Sequence, residues 1–84
     1  MKREVILYCA DLCSDCQKIK DYMEAQGIEY EVRDIQENPA HADEVLEKTG
    51  KLGVPYLIID GEWVRGYDLD KPFSEEFARG LFDN

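Results

Sequence analysis

Apolar residues occur in two kinds of pattern along this chain. Val5-Ile6-Leu7-Tyr8 and Tyr56-Leu57-Ile58-Ile59 are unbroken runs, which fits strands covered on both faces. Elsewhere, apolar positions recur at helical spacing or alternate. The first strand is read from Glu4 to Cys9. A helix follows from Cys13 or Ser14 to Gln26, with Ile19, Tyr22, Met23 and Gln26 on one side and Lys18, Lys20, Asp21 and Glu24 on the other. Ser14 and Asp15 suit its first turn, where oxygens accept free N–H groups, and Gly27 is a stop signal. Ile28 to Ile35 alternates and predicts a half-exposed or edge strand. The intervening helix makes a βαβ unit, so these two strands are expected to be parallel.

Asn38-Pro39 opens a second helix, which Gly50 ends, with Ala42, Val45, Leu46 and Thr49 as its inner face. Tyr56 to Asp60 is the third strand. Asp60-Gly61 is a two-residue hairpin signal, and Glu62 to Arg65 returns antiparallel. Gly66-Tyr67-Asp68 is a turn. A last helix runs from Asp70 or Ser74 to Leu81, with Phe73, Phe77, Leu81 and Phe82 facing inward. The order β-α-β-α-β-β-α predicts an α/β fold: a four-stranded mixed sheet with helices on both faces. The runs at Val5–Tyr8 and Tyr56–Ile59 belong in its centre, and the other two strands at its edges.

Length and charge narrow the function. Residues 1–84 are read as one domain with no internal repeat or linker. The net charge is −9, from 19 acidic and 10 basic residues. Nucleic acid is therefore a poor partner, since phosphate contacts need clustered Lys and Arg, and an anionic membrane surface is disfavoured too. The apolar stretch after Met1-Lys2-Arg3-Glu4 is too short for a secretory leader, and a cytoplasmic location is expected.

The candidate chemistry lies at the first strand-to-helix junction. Cys9, Cys13 and Cys16 fall within eight residues, unlike a secreted disulfide framework, which would spread an even number along the sequence. Cys13 and Cys16 are three apart, so both lie on the same side of the helix start. Tetrahedral zinc needs four ligands; the cysteines supply three, and the one histidine, His41, lies in another helix as a surface residue. A redox dithiol is preferred over a metal site, and no metal is assigned. Cys9 is read as a small buried apolar residue. Trp63 and Arg65 share one face of the last strand, where Trp63 is read as packing on a helix.

Four features taken in order resemble a glutaredoxin, within the thioredoxin superfamily, over nearly the whole length. They are Cys13-Ser14-Asp15-Cys16 after a first strand, Val54-Pro55 before the third, the Asp60-Gly61 hairpin, and Gly66-Tyr67-Asp68 before the final helix. The resemblance implies a thioredoxin/glutaredoxin-like fold and a thiol–disulfide oxidoreductase that reduces protein disulfides or glutathione mixed disulfides. Cys13, at the helix N-terminus, is the attacking thiol and the more buried Cys16 resolves. Pro55 is expected to follow a cis bond, and the backbone of Val54 to pair with the thiol substrate. Gly66, Tyr67 and Asp68 would hold the γ-glutamyl end of glutathione, and Lys51 would meet its glycyl carboxylate. The sequence departs from the family pattern at Ala10, where Lys is common, at Ser14-Asp15, where Pro-Tyr is usual, and at Leu69, where a second Asp is common. Asp11 and Asp15 flank Cys13 with negative charge, so the pair is expected to be more reducing, closer to thioredoxin.

No bound cofactor is expected, with glutathione as co-substrate or a thioredoxin-reductase-type donor, and the protein is expected to act as a monomer. The alternative readings are a non-catalytic Fe–S or metal carrier using Cys13, and a redox-inactive thioredoxin-like binding domain.

Overall fold

The computed structural model describes residues 4–10, 13–51, 53–67, 71 and 73–82. Seven elements follow in the expected order: β1 (Val5–Cys9), α1 (Ser14–Ala25), β2 (Glu31–Asp34), α2 (Pro39–Thr49), β3 (Tyr56–Ile59), β4 (Glu62–Arg65) and α3 (Glu75–Phe82). The sheet order is β2-β1-β3-β4. β1 runs parallel to β2 and antiparallel to β3, and β3 antiparallel to β4. The two unbroken apolar runs are therefore the two central strands. Both central residues of the β3–β4 turn, Asp60 and Gly61, have positive φ, which matches the twist of a tight hairpin.

One face of the sheet carries α1 and α3. Val5, Leu7, Cys9, Leu57 and Ile59 pack there against Cys16, Ile19 and Met23 of α1 and Ala78 and Phe82 of α3. Phe82 stacks on Tyr22, with ring centroids 6.0 Å apart. The inner stripe of α3 thus passes through Ala78 and Phe82; Phe77 and Leu81 flank it and are half-buried. Ser74 caps this helix, its Oγ accepting the N–H of Phe77 at 3.1 Å.

The opposite face carries α2 and is partly polar. Tyr8 is fully buried there, yet its hydroxyl donates to Glu44 Oε2 at 2.8 Å and accepts from Arg33 Nη1 at 2.8 Å. Arg33 also pairs with Glu44 at 3.2 Å, so one phenol joins β1, edge strand β2 and α2. Trp63 stacks on Tyr8, 5.2 Å between centroids and 20° between planes. His41 is half-buried with its ring edge-on to Tyr8 at 6.2 Å, not a surface residue. α2 meets Tyr8 through His41 and Glu44; of its expected inner face, Val45 is buried, Ala42 and Thr49 are half-buried, and Leu46 is turned outward. Val45 is fully buried and Leu46 is 49% exposed.

The alternating stretch at residues 28–35 forms a shorter strand than its pattern predicts. Its start is taken by the cap of α1, where Gly27 N–H bonds Glu24 O and Ile28 N–H bonds Met23 O. Its end is taken by Asp34, whose carboxylate accepts the N–H groups of Gln36 and Glu37 and turns the backbone toward α2. Asn38 caps α2 through the N–H of Ala40, with Pro39 in the first turn as expected.

Gly66 is buried where β4 ends, and its N–H donates to Pro55 O at 3.0 Å. A Cβ there would lie 2.7 Å from Leu57 Cδ1 and 3.0 Å from Pro55 O. Gly66→Ala must therefore displace the strand end or the Pro55 backbone, and is expected to lower stability by about 1–3 kcal/mol in urea unfolding.

Burial pushes the Tyr8 hydroxyl above its ordinary range; the bond to Glu44 adds to this and Arg33 opposes it. The folded state thus favours the neutral phenol. That contribution is complete below about pH 10 and is lost as pH rises through the folded value. Tyr8→Phe is expected to cost about 1 kcal/mol at pH 7. Its deficit against the wild type should shrink above pH 10, measured by urea midpoints across pH; a gap that stays constant would count against this account.

Candidate functional site

Cys13 is the N-cap residue of α1, in extended backbone geometry. The expected oxygen cap from Ser14 or Asp15 is replaced by sulfur: Cys13 Sγ accepts the N–H of Cys16 at 3.2 Å. A negative charge on that sulfur would face a free amide and the positive end of the helix dipole. Cys13 is half-buried and Cys16 is buried, so the two thiols differ in access. Burial pushes the Cys16 thiol well above the usual range, and its contact with Cys13 adds to the effect.

The segment before β3 forms the other side. The Val54–Pro55 bond is cis, and the carbonyl oxygen of Val54 lies 4.0 Å from Cys13 Sγ, at the long end of a thiol contact. These residues are 41 apart in sequence and meet because β3 lies antiparallel beside β1, with Tyr8 opposite Tyr56. Pro55 is buried and Val54 half-buried, packed against the main core. Gly66 fastens to Pro55 from the end of β4, and Tyr67 follows, half-buried. Of the expected substrate-side residues, Val54 faces Cys13, Pro55 follows it and is bonded by Gly66, and Tyr67 lies against Gly53. Asp68, Asp11 and Leu69 lie outside the described residues.

Cys9 ends β1 in the core, 2% exposed, and burial pushes its thiol up as well. Its environment is that of a small apolar residue. Among the described residues no three His, Cys, Asp or Glu side chains group as a metal site. Also among them, no helix is long and apolar enough to cross a membrane.

Two features are not apparent from motif spacing. Gly53 lies under Tyr67, where a Cβ would sit 3.0 Å from the phenol oxygen. Arg65 turns back over Tyr67, its Nε donating to Tyr67 O at 2.8 Å. The one signal for the second is alternation: Arg65 opposes Tyr56 in the register and shares its face with Trp63.

Comparison with known proteins agrees with this architecture. The family model described as Glutaredoxin matches residues 5–64, more than two thirds of the sequence. Glutaredoxin 3 of Escherichia coli (strain K12) is 27% identical over 64 residues, which is 76% of this chain and 77% of that protein. The crystal structure of the thioredoxin-like protein BC3987 shares the fold with a TM-score of 0.73 at 23% identity, covering 93% of this chain and 99% of that one. The glutaredoxin grx-1 from Archaeoglobus fulgidus also gives a TM-score of 0.73, at 22% identity, covering 95% of this protein and 86% of that one. By its match over most of its length, this chain belongs to the glutaredoxin family, whose general function is thiol redox chemistry.

Proposed function

We propose that the protein is a thiol–disulfide oxidoreductase in which Cys13 attacks and Cys16 resolves. The observation that carries this reading is the Cys16 N–H donated to Cys13 Sγ at the start of α1, with the Val54 carbonyl facing the same sulfur. The Cys13 thiolate attacks one sulfur of a substrate disulfide. A Cys13–substrate disulfide forms, and the other half of the substrate leaves as a thiolate that takes up a proton. Cys16 then loses its proton and attacks Cys13 Sγ. The substrate leaves as a second thiol and a Cys13–Cys16 disulfide remains. Two electrons have passed from the dithiol to the substrate. A reducing co-substrate, either glutathione or a thioredoxin-reductase-type donor, returns them.

The helix geometry separates the two roles. Cys13 meets solvent and the extended backbone that would lie along Val54. Cys16 is held in the core one turn away, in contact with Cys13. Val54, Pro55, Gly66, Tyr67 and Asp68 would present the thiol substrate, Val54 by its backbone and the last three at its far end.

Insulin reduction is the direct test, run in parallel with glutathione plus its reductase and with thioredoxin reductase plus NADPH. Turnover in one system identifies the donor. Turnover in neither, together with an iron–sulfur absorbance spectrum, would assign the protein to the carrier class instead. Cys13→Ser is expected to reduce turnover to background. Cys16→Ser is expected to stop after the first step and accumulate a stoichiometric mixed disulfide, visible by mass spectrometry.

The resolving step should also depend on pH. Burial, the largest cause of the raised Cys16 value, persists in the mixed disulfide. Below that value the reactive thiolate fraction grows about tenfold per pH unit. The decay rate of a preformed Cys13 mixed disulfide should therefore climb steadily between pH 7 and 9. A flat rate would mean that Cys16 does not resolve it.

A further inference from the structure

One thiol of the three takes no part in the proposed exchange. Cys9 is the last residue of β1, and only residues 10–13 join it to α1. Val5, Leu7 and Cys9 point to the face that carries α1 and α3, and Cys16 is the first residue of α1 buried against that face. Cys9 and Cys16 are therefore the inward residues nearest the junction, on two elements packed together, and each is 2% exposed. Cys16 also meets the backbone beside Cys9. Burial and the contact with Cys13 act most strongly on its thiol, but the backbone N–H of Ala10 donates to the same sulfur, and Cys9 adds a further repulsion. Cys16 thus has two sulfur neighbours, Cys13 at the helix end and Cys9 in the core.

The two neighbours differ in how they hold a charge. Cys13 Sγ accepts the Cys16 N–H at 3.2 Å and stands at the positive end of the α1 dipole. Burial disfavours a charge on Cys9, and Asp34 adds to that; Lys20, half-buried on α1 one turn beyond Cys16, opposes both by bonding the Cys9 thiol. In thiol–disulfide exchange the sulfur that best carries charge leaves most readily. Of the two sulfurs that can pair with Cys16, Cys13 is therefore the better leaving group, and Lys20 favours the thiolate that would displace it.

We infer that Cys9 is a third redox thiol, which takes the disulfide over from Cys13, so that the oxidised protein carries a Cys9–Cys16 disulfide and a free Cys13. The inference rests on the thiol-exchange reading, since that reaction leaves the Cys13–Cys16 disulfide behind. Cys9 loses its proton and attacks Cys16 Sγ. The Cys9–Cys16 bond forms, the Cys13–Cys16 bond breaks, and Cys13 leaves as a thiolate. One disulfide and one thiol are present before and after, so no outside oxidant or reductant takes part. The freed Cys13 can attack a further disulfide, and the oxidised protein then holds that substrate as a mixed disulfide before any donor arrives.

The test locates the free thiol of the oxidised wild type. The protein is oxidised with one equivalent of diamide, quenched in acid, unfolded, and labelled with N-ethylmaleimide under acidic conditions that halt exchange. All three cysteines lie between Arg3 and Lys18, on one tryptic peptide, so fragmentation in the mass spectrometer assigns the label. Cys13 is expected to carry about ten times the label of Cys9, the advantage that one charge-assisted hydrogen bond gives the released thiolate. Label at Cys9 equal to or above that at Cys13, or label mainly at Cys16, would overturn the inference. Cys13→Ser removes the competing partner. Its two remaining thiols should disappear together on diamide treatment, within a single chain by mass; thiols that persist would also overturn it.

A second readout is the reactivity of the oxidised protein. Mixed with a peptide disulfide, the oxidised wild type should gain one peptide at Cys13, and oxidised Cys9→Ala should gain none. An adduct absent from the wild type, or equal in both, would overturn the inference. None of these measurements needs turnover, so the two readings fail separately. No insulin reduction, with the label at Cys13, strikes the exchange reading and upholds the third thiol. Insulin reduction with the label at Cys9 does the reverse.

Discussion

The pairing of β1 with β3 is the constraint on which the rest of the structure depends. β1 is buried on both faces: Leu7 and Cys9 under the helices α1 and α3, Tyr8 under α2. Its antiparallel register sets Tyr8 opposite Tyr56. That single alignment brings the segment before β3 to the end of β1, where α1 begins, and so places Val54 against Cys13. A slip of one residue would turn Leu57 and Ile59 away from the core and remove the contact. The two-sided burial of β1 therefore fixes the site as much as it fixes the fold.

The two thiols are made unequal by the same packing. α1 lies with Cys16, Ile19 and Met23 against the sheet, so the cysteine one turn into the helix is carried into the core. Cys13 stays at the helix end, outside the core but touching it. A C-x-x-C pair on a helix lying free in solvent would not be so divided. The division comes from docking an amphipathic helix on β1, and it gives the exchange its order: the accessible sulfur meets the substrate, and the buried one meets its neighbour.

Much of this was legible in the sequence because it rests on local rules. The strand order follows from two unbroken apolar runs, a crossover helix and the Asp60-Gly61 turn. The caps at Asn38 and Gly27 stand where their residue types demand. The failures have a common cause, which is competition by tertiary contacts. Leu46 satisfies the helical period of α2 but is exposed, while His41 and Glu44 face Tyr8 through ring and polar contacts that no hydrophobic pattern contains. β2 is shortened because a cap and an Asp turn claim the backbone groups that a longer ladder would use. In the site, the C-x-x-C and the proline were visible as motifs. The Arg65–Tyr67 clasp was not, since it needs the turn geometry that follows β4.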